Sequence, residues 1–580
     1  MRRFTYALLA LFLCAAGARA QNVPVQEVVL DNGLRVLMVP RKGDPNIAAG
    51  WITRTGSVNE RPGITGLSHL FEHMMFKGTR TVGTSNIDEN LKVLKEMDDV
   101  RARIRAEEKE LIRRARLGEV ADAKDPQNRS ERHRQLLARF DELTKREKEL
   151  MVKDEFDRIY TTAGGSGMNA GTSNDFTVYF INVPANKLEL WFWMESDRLQ
   201  NPVFREFYSE RDVVHEERRL RTDSTPTGKF DEQFEAMFWM SSPYGWPVVG
   251  WPSDLEGITR EEALEYFAVN YAPNNLTACL VGDFEPANAT ALARKYFGRL
   301  RRGPREPESV RTQEMSQLAE QRMVAYAETS PQVRVRYHTV ADGHPDDFAL
   351  SVMDSVLSGR TGRLYKSLVI QQEVANSASA GQNGNKYEGY FELGGTAKPG
   401  KTPEDVEQAL YKEIERLQKE PVPADELQKI KNQSAANQFR GLQSNFGLMV
   451  QLLLRDSNRG WATINTDPAR VQAVTPADIQ RVANKYFTPE NRTVAIYRTK
   501  QVAGGDAGED ATLAGLSDPE KAMVRQLRAR LPQMNAEQVR GFLQQVEQRG
   551  ASAPPEMQKG IQLVKKLLGD RLKQLEGGVK

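Results

Sequence analysis

Hydrophobic and polar positions divide the chain into stretches of different period. Apolar residues recur at helical spacing over 259–271 and again over 475–487, and each stretch runs through a proline into a short apolar run of strand length, 277–281 and 493–497. Thr259, Tyr271, Pro273, Asn275 and Thr277 return as Thr475, Phe487, Pro489, Asn491 and Thr493, each 216 positions later. Five spacings kept together signal an internal duplication. The openings correspond in outline as well: a strand over 46–53 or 333–338, a loop, then a helix over 64–77 or 345–358. The pattern predicts an α+β protein of two homologous mixed α/β units, each a sheet packed by helices.

Between Asp88 and Phe156 the pattern changes. Glu, Lys, Arg and Leu dominate, aromatics nearly vanish, and the helical run breaks near Asp125-Pro126. This predicts a helical hairpin inserted into the first unit over 88–156, read as a solvated arm in preference to a partner-binding device. The hydrophilic stretch 301–321, with Pro304 and Pro307, is the expected linker. After residue 500 a Gly/Asp/Ala-rich stretch leads into a helical tail over 517–575, which would either dock or stay free. The expected layout is a leader at 1–20, a first unit at 21–300, the linker at 301–321, a second unit at 322–500 and the tail at 501–580, consistent with a 580-residue chain being too long for one core.

Composition changes the picture at the start of the chain. Arg2 and Arg3, the apolar run 6–13 and Ala18-Arg19-Ala20 form the three-part pattern of a secretory signal peptide, so a periplasmic or secreted location is expected. Cys14 follows Leu13 and belongs to the apolar stretch. No other run approaches the roughly 18 apolar residues of a membrane span. Without residues 1–20, which carry three Arg and no acid, 77 basic residues face 78 acidic ones, a balance that does not favour nucleic-acid binding. Cys279 is then the single cysteine, set in the apolar string 276–281; it reads as a buried strand residue with no disulfide partner in the chain.

Chemistry concentrates where histidine is scarce. Of six histidines, at 69, 73, 133, 215, 338 and 344, two fall in His69-Leu70-Phe71-Glu72-His73. On a helix, positions i, i+3 and i+4 share a face, so both imidazoles and the Glu72 carboxylate converge on one point, as a metal requires. Leu70, Phe71, Met74, Met75 and Phe76 would bury the rest of that helix. A catalytic zinc takes three protein ligands and keeps a fourth position open, so another ligand must come from elsewhere. The best source is the helix candidate 210–219, where Glu210 and Glu217 lie two turns apart on one face; Glu217 is the preferred ligand, with His215 and Glu216 as competitors. Glu210 would accept the second ring N–H of a histidine ligand. Glu72 is then left as the general base that takes a proton from water, and peptide hydrolysis fits this equipment.

At these residues the sequence resembles the pitrilysin/insulinase family of zinc metallopeptidases, in its bacterial processing-peptidase-like branch, over about 25–500 without the 88–156 insertion. The family's inverted motif matches His69, Glu72 and His73, and its pair of glutamates seven apart matches Glu210 and Glu217, the second being the ligand. Asn169-Ala170 resembles the family's Asn-Ala dipeptide on an edge strand, where a substrate peptide adds as a further strand, although Gly171 stands where the family often has a bulky residue. Arg363 matches an arginine that helps hold substrate, and Asn376 occupies the position of its tyrosine companion.

The resemblance implies an endopeptidase acting on peptides or unfolded polypeptides, with one zinc per chain because the second unit has no HxxEH. It also implies a homodimer, or a heterodimer with a related subunit, closing a clam-like chamber. The alternative is a noncatalytic binding or assembly subunit of such a complex, for which the missing tyrosine speaks.

Overall fold

Two sheets with one strand order account for the duplication. The computed structural model describes residues 22–500, 512–513, 516–531, 534–550 and 557–577, so the expected leader at 1–20 lies outside the described residues. The first sheet contains β1 (Gln26–Val29), β2 (Arg35–Pro40), β3 (Asn46–Thr53), β4 (Ser166–Thr172), β5 (Thr177–Pro184) and β6 (Leu276–Gly282), in the order β1-β2-β6-β3-β5-β4. The second contains β7 (Gln321–Ala327), β8 (Gln332–Thr339), β9 (Ala375–Gly384), β10 (Gly389–Ala397) and β11 (Arg492–Thr499), in the order β7-β11-β8-β10-β9. Apart from β1 the two orders superimpose, down to one parallel pair each, β2 with β6 and β7 with β11. The fold is α+β, built from two related mixed α/β halves.

The repeated residues do matching local work. Thr259 and Thr475 each cap a helix, Arg260–Asn270 and Pro476–Tyr486, through reciprocal capping boxes with Glu262 and Asp478. Asn275 and Asn491 each turn a side-chain amide back onto the helix just left, donating to the carbonyls of Asn270 (2.9 Å) and Tyr486 (2.7 Å). A helix C-terminus leaves carbonyls without partners, and this asparagine supplies one before the chain enters the next strand.

The central strands of the first sheet are buried on both faces, which is why they read as continuous apolar runs instead of alternating ones. Val36, Met38, Ile47, Ala49 and Trp51 face the main core, under the helix Leu67–Met74. Leu37, Val39, Ala48, Ile52 and Cys279 face Leu448, Met449, Leu452 and Leu453 of the helix Asn445–Asn458, which belongs to the second half. The converse also holds. Phe230, Phe234 and Met237 of the helix Gly228–Phe238, in the first half, pack on Met323, Ala325, Ala495 and Tyr497 of the second sheet. These two helices start one repeat apart, so each half lends its equivalent helix to cover the other half's sheet. Charge follows the same exchange: Asp456 bonds Arg35 (2.6 Å), Arg54 (2.7 Å) and Thr277 (2.6 Å), while Asp231 bonds Arg334 (2.7 Å) and Tyr497 (2.6 Å).

Two expectations need correction. The insertion is a hairpin, Ile87–Arg116 and Glu131–Leu150 broken at Asp125-Pro126, but it is no solvated arm: Val93, Leu94, Met97, Val100, Ile104, Leu143 and Leu150 join the main core. Its apolar positions are sparse because only one stripe of each helix is covered. The helix expected over 64–77 is shorter, Leu67–Met74, because Gly63 and Gly66 adopt left-handed conformations before it. At Gly66 a Cβ would meet the Val249 carbonyl at 2.5 Å, so this turn admits only glycine. The linker has no regular structure over 301–320 yet is pinned, Glu314 accepting three N–H bonds from Met240, Ser241 and Ser242. The described residues from 500 onward form a separate compact unit whose helices Asp518–Arg530, Ala536–Gly550 and Gln558–Gly577 share a core of their own around Val524, Val539, Val564 and Leu568.

Candidate active site

The helix Leu67–Met74 lies on an aromatic bed. Phe71 packs against Phe204, Phe267 and Tyr271, with ring centroids 5.1–5.8 Å away, and its carbonyl accepts a bond from the Tyr179 hydroxyl (3.2 Å). At its start the buried Glu60 carboxyl takes the N–H groups of Gly66 (2.7 Å) and Ser68 (2.6 Å); burial pushes that carboxyl up to about 8 in spite of these bonds. The helix is thereby fixed at its start and along its buried face, and its remaining face carries His69, Glu72 and His73.

Opposite stands the helix Phe207–Arg218. Its phase puts Glu210, Val214 and Glu217 toward the motif, whereas Glu216 is exposed and paired with Arg219 (2.7 Å). Glu217 Oε1 lies 3.6 Å from His69 Nε2 and Glu217 Oε2 lies 3.3 Å from His73 Nε2. Among the described residues this is the one group of metal-ligating side chains whose donor atoms all fall within 4.8 Å of one another. Glu210 Oε2 meets His73 Nδ1 at 3.3 Å, and its other oxygen takes a bond from Lys77.

Electrostatics separates the two histidines. Burial pushes the His69 imidazole below its ordinary value, against the pull of Glu217 and Glu72. Burial acts on His73 too, but the Glu210 hydrogen bond and the charges of Glu210, Glu217 and Glu72 outweigh it and raise its pKa. Glu210 is held low by bonds from His73 and Lys77 that outweigh its own burial.

The donor set fits a zinc ion. The two imidazole nitrogens lie 3.6 and 3.3 Å from the Glu217 oxygens, and all three donors fall within 4.8 Å of one another, near the roughly 3.3 Å edge of a tetrahedral shell with ligand distances of roughly 2.0–2.1 Å. His73 Nδ1 already has the acidic partner that orients a ligating imidazole.

The neighbouring edge strand is β4. It pairs with β5 alone, Asn169 opposite Phe180 and Ala170 opposite Tyr179, so its outer edge keeps its main-chain groups for another strand. The motif helix packs directly against it.

Comparison with known proteins bears on the same segments. Residues 35–97, which contain the motif, match the family described as insulinase (peptidase family M16), and residues 257–434 match the peptidase M16 inactive domain. The chain belongs to the M16 peptidase family. It is 25% identical over 502 residues to a Helicobacter pylori protein named zinc protease PqqE, across 84% of this chain and 96% of that one. It is 24% identical over 344 residues to a probable mitochondrial-processing peptidase subunit beta of Arabidopsis thaliana, across 56% of this chain and 63% of that one. In fold it is similar to the crystal structure of a protease from Helicobacter pylori, with a TM-score of 0.67, 23% identity and coverage of 82% of this chain and 99% of that one.

The second half of this M16 chain contributes differently. Arg363 is engaged by Glu426 in a two-point ion pair (2.7 and 3.0 Å). Asn376 lies on β9, its amide 3.5 Å from the Ala397 carbonyl. Sequence reading also missed two cations beside the ligands. Lys77 bonds Glu206 (3.0 Å) and Glu210; its position one turn beyond His73 was the available signal. Arg221, 75% exposed, reaches Glu217 Oε1 at 2.6 Å from a π-turn at Arg219–Asp223 that no local pattern announces.

Proposed function

We propose that this protein is a zinc-dependent endopeptidase of peptides or unfolded polypeptides, exported to the periplasm or beyond. The observation that carries the reading is the convergence of His69, His73 and Glu217 with Glu72 left over on the same helix face, beside an unpaired strand edge. His69, His73 and Glu217 would hold the ion. The chemistry a bound zinc supplies is Lewis acidity toward a water and a carbonyl oxygen.

The chain's own groups do the rest. β4 takes the substrate backbone as an added strand, which fixes the peptide by main-chain bonds and leaves sequence preference to a few side-chain pockets. Gly171 has open space where a side chain would project, so this edge admits a broad range of residues. Glu72 receives the proton of the attacking water and returns it to the departing amine. Glu210 fixes the His73 ring by its Nδ1. A paired arrangement of two chains, identical or related, would complete the substrate side that Asn376 leaves short of a tyrosine.

A noncatalytic subunit is the second reading, favoured by Arg363 being committed to Glu426. One experiment separates them. Glu72→Gln is expected to bind zinc as the parent chain does and to lose at least about a hundredfold in turnover of a peptide library, in line with removal of a general base. Turnover that survives this change sinks the mechanism, and a zinc-loaded parent chain inert on peptides favours the second reading.

A further inference from the structure

The inserted hairpin meets the candidate site through a dipeptide. Arg205 and Glu206 stand immediately before the ligand helix Phe207–Arg218. Arg205 is fully buried and donates to the carbonyls of Lys77 (3.2 Å), Thr79 (2.6 Å) and Val82 (3.1 Å), in the turn that follows the motif helix. Its fourth bond goes to the Asn90 side-chain oxygen (2.7 Å), on the first helix of the hairpin.

Glu206 adopts a left-handed conformation, φ 55°, one of only three non-glycine residues that do so among the described residues. A residue with a Cβ persists there when its surroundings hold it, at a cost on the order of 1 kcal/mol. What holds it is Glu147, on the second helix of the hairpin. Glu147 is 1% exposed on a helix otherwise rich in exposed charge, and its carboxylate accepts the Glu206 N–H at 2.8 Å. A carboxylate is rarely buried so fully unless it is paired.

From Glu206 a chain of contacts runs into the site. Its carboxylate accepts from Lys77 (3.0 Å), Lys77 also bonds Glu210, and Glu210 meets His73 Nδ1 (3.3 Å). One end of the path is a surface insertion and the other is a metal-ligating imidazole.

We infer that the hairpin insertion is a positioning element for the metal centre: Asn90 and Glu147 fix the Arg205-Glu206 turn, which sets the ligand helix against the motif helix and aims Glu210 at His73. Glu147, Glu206 and Lys77 are positioning residues that touch neither substrate nor ion. The inference rests on the metal-centre reading proposed above, and goes beyond it by giving the insertion a function.

The test is zinc affinity of the full chain, measured by competition with a chromophoric chelator, alongside its melting temperature. Glu147→Ala is expected to weaken zinc binding by about 10- to 100-fold, the usual effect of losing a group that orients a ligand. Glu147→Gln keeps an acceptor for the Glu206 N–H and should restore most of the affinity. Val100→Ala, a cavity in the same hairpin away from this path, should lower the melting temperature and leave zinc affinity unchanged. Should Glu147→Ala fail to fold, Lys77→Met carries the same expectation. Unchanged affinity in Glu147→Ala or Lys77→Met overturns the inference, as does an equal loss in Val100→Ala. A parent chain that binds zinc but cleaves nothing defeats the peptidase reading alone, because the readout here is the metal and not turnover.

Discussion

Histidine serves two opposite purposes in this chain. His69 and His73 are turned toward acids, whereas His338 is stacked on Phe238 at 3.9 Å, edge-on to Trp239, with neither ring nitrogen bonded to a described residue. Burial holds its imidazole down at about 4, against an ordinary 6.5, with Glu314 pulling weakly the other way. Between those values the unfolded chain binds the proton and the folded chain does not, so stability is full above pH 6.5 and falls as the pH drops toward 4. The fall is on the order of 3 kcal/mol. His338→Phe keeps the stack and removes the proton, so urea unfolding of this variant is expected to show a flatter pH dependence across that window; an unaltered slope would contradict it. Single residues were legible to different degrees. The HxxEH spacing is self-evident because helix geometry alone gathers i, i+3 and i+4. Choosing Glu217 over Glu216 needed the phase of a helix whose buried face is not marked by hydrophobicity, since Glu210, Arg211 and Arg218 are buried on it and Val213 is exposed.

Elements were legible where their signals are local. Capping threonines, Pro turns and the asparagine that follows them belong to sequence neighbours, and they revealed the duplication. What covers each sheet was not legible. The apolar stripe of the helix Asn445–Asn458 says that one face is buried, and nothing in it names β2, β3 and β6 of the other half as the surface that buries it. The hairpin misled for a related reason: Glu147 looks like one more solvated charge until tertiary structure places a backbone N–H against it. The exchange makes a prediction at this scale. Asp456, wholly buried between Arg35, Arg54 and Thr277, ties the lent helix to its host sheet. Asp456→Ala leaves the partly buried Arg54 guanidinium without its anion and Arg35 with Glu27 alone (3.0 Å), and is expected to cost about 2–4 kcal/mol in denaturant unfolding. A loss within 0.5 kcal/mol, the range of an ordinary surface change, would show the tie to be incidental.

For the whole molecule, basic and acidic residues nearly balance, and no helix among the described residues is long and apolar enough to cross a membrane. The body and the tail have separate cores. A chain ending at residue 500 is therefore expected to melt within a few degrees of the full chain and to bind one equivalent of zinc, by calorimetry and metal analysis; loss of zinc on truncation would place the tail in the site's support. The exchanged helices bear on how such a body moves. Two halves joined only by a linker swing apart by bending it, but here each would have to strip a helix from its neighbour's sheet first, exposing two apolar faces at once. The two halves of the body therefore move as one piece, with no hinge between them.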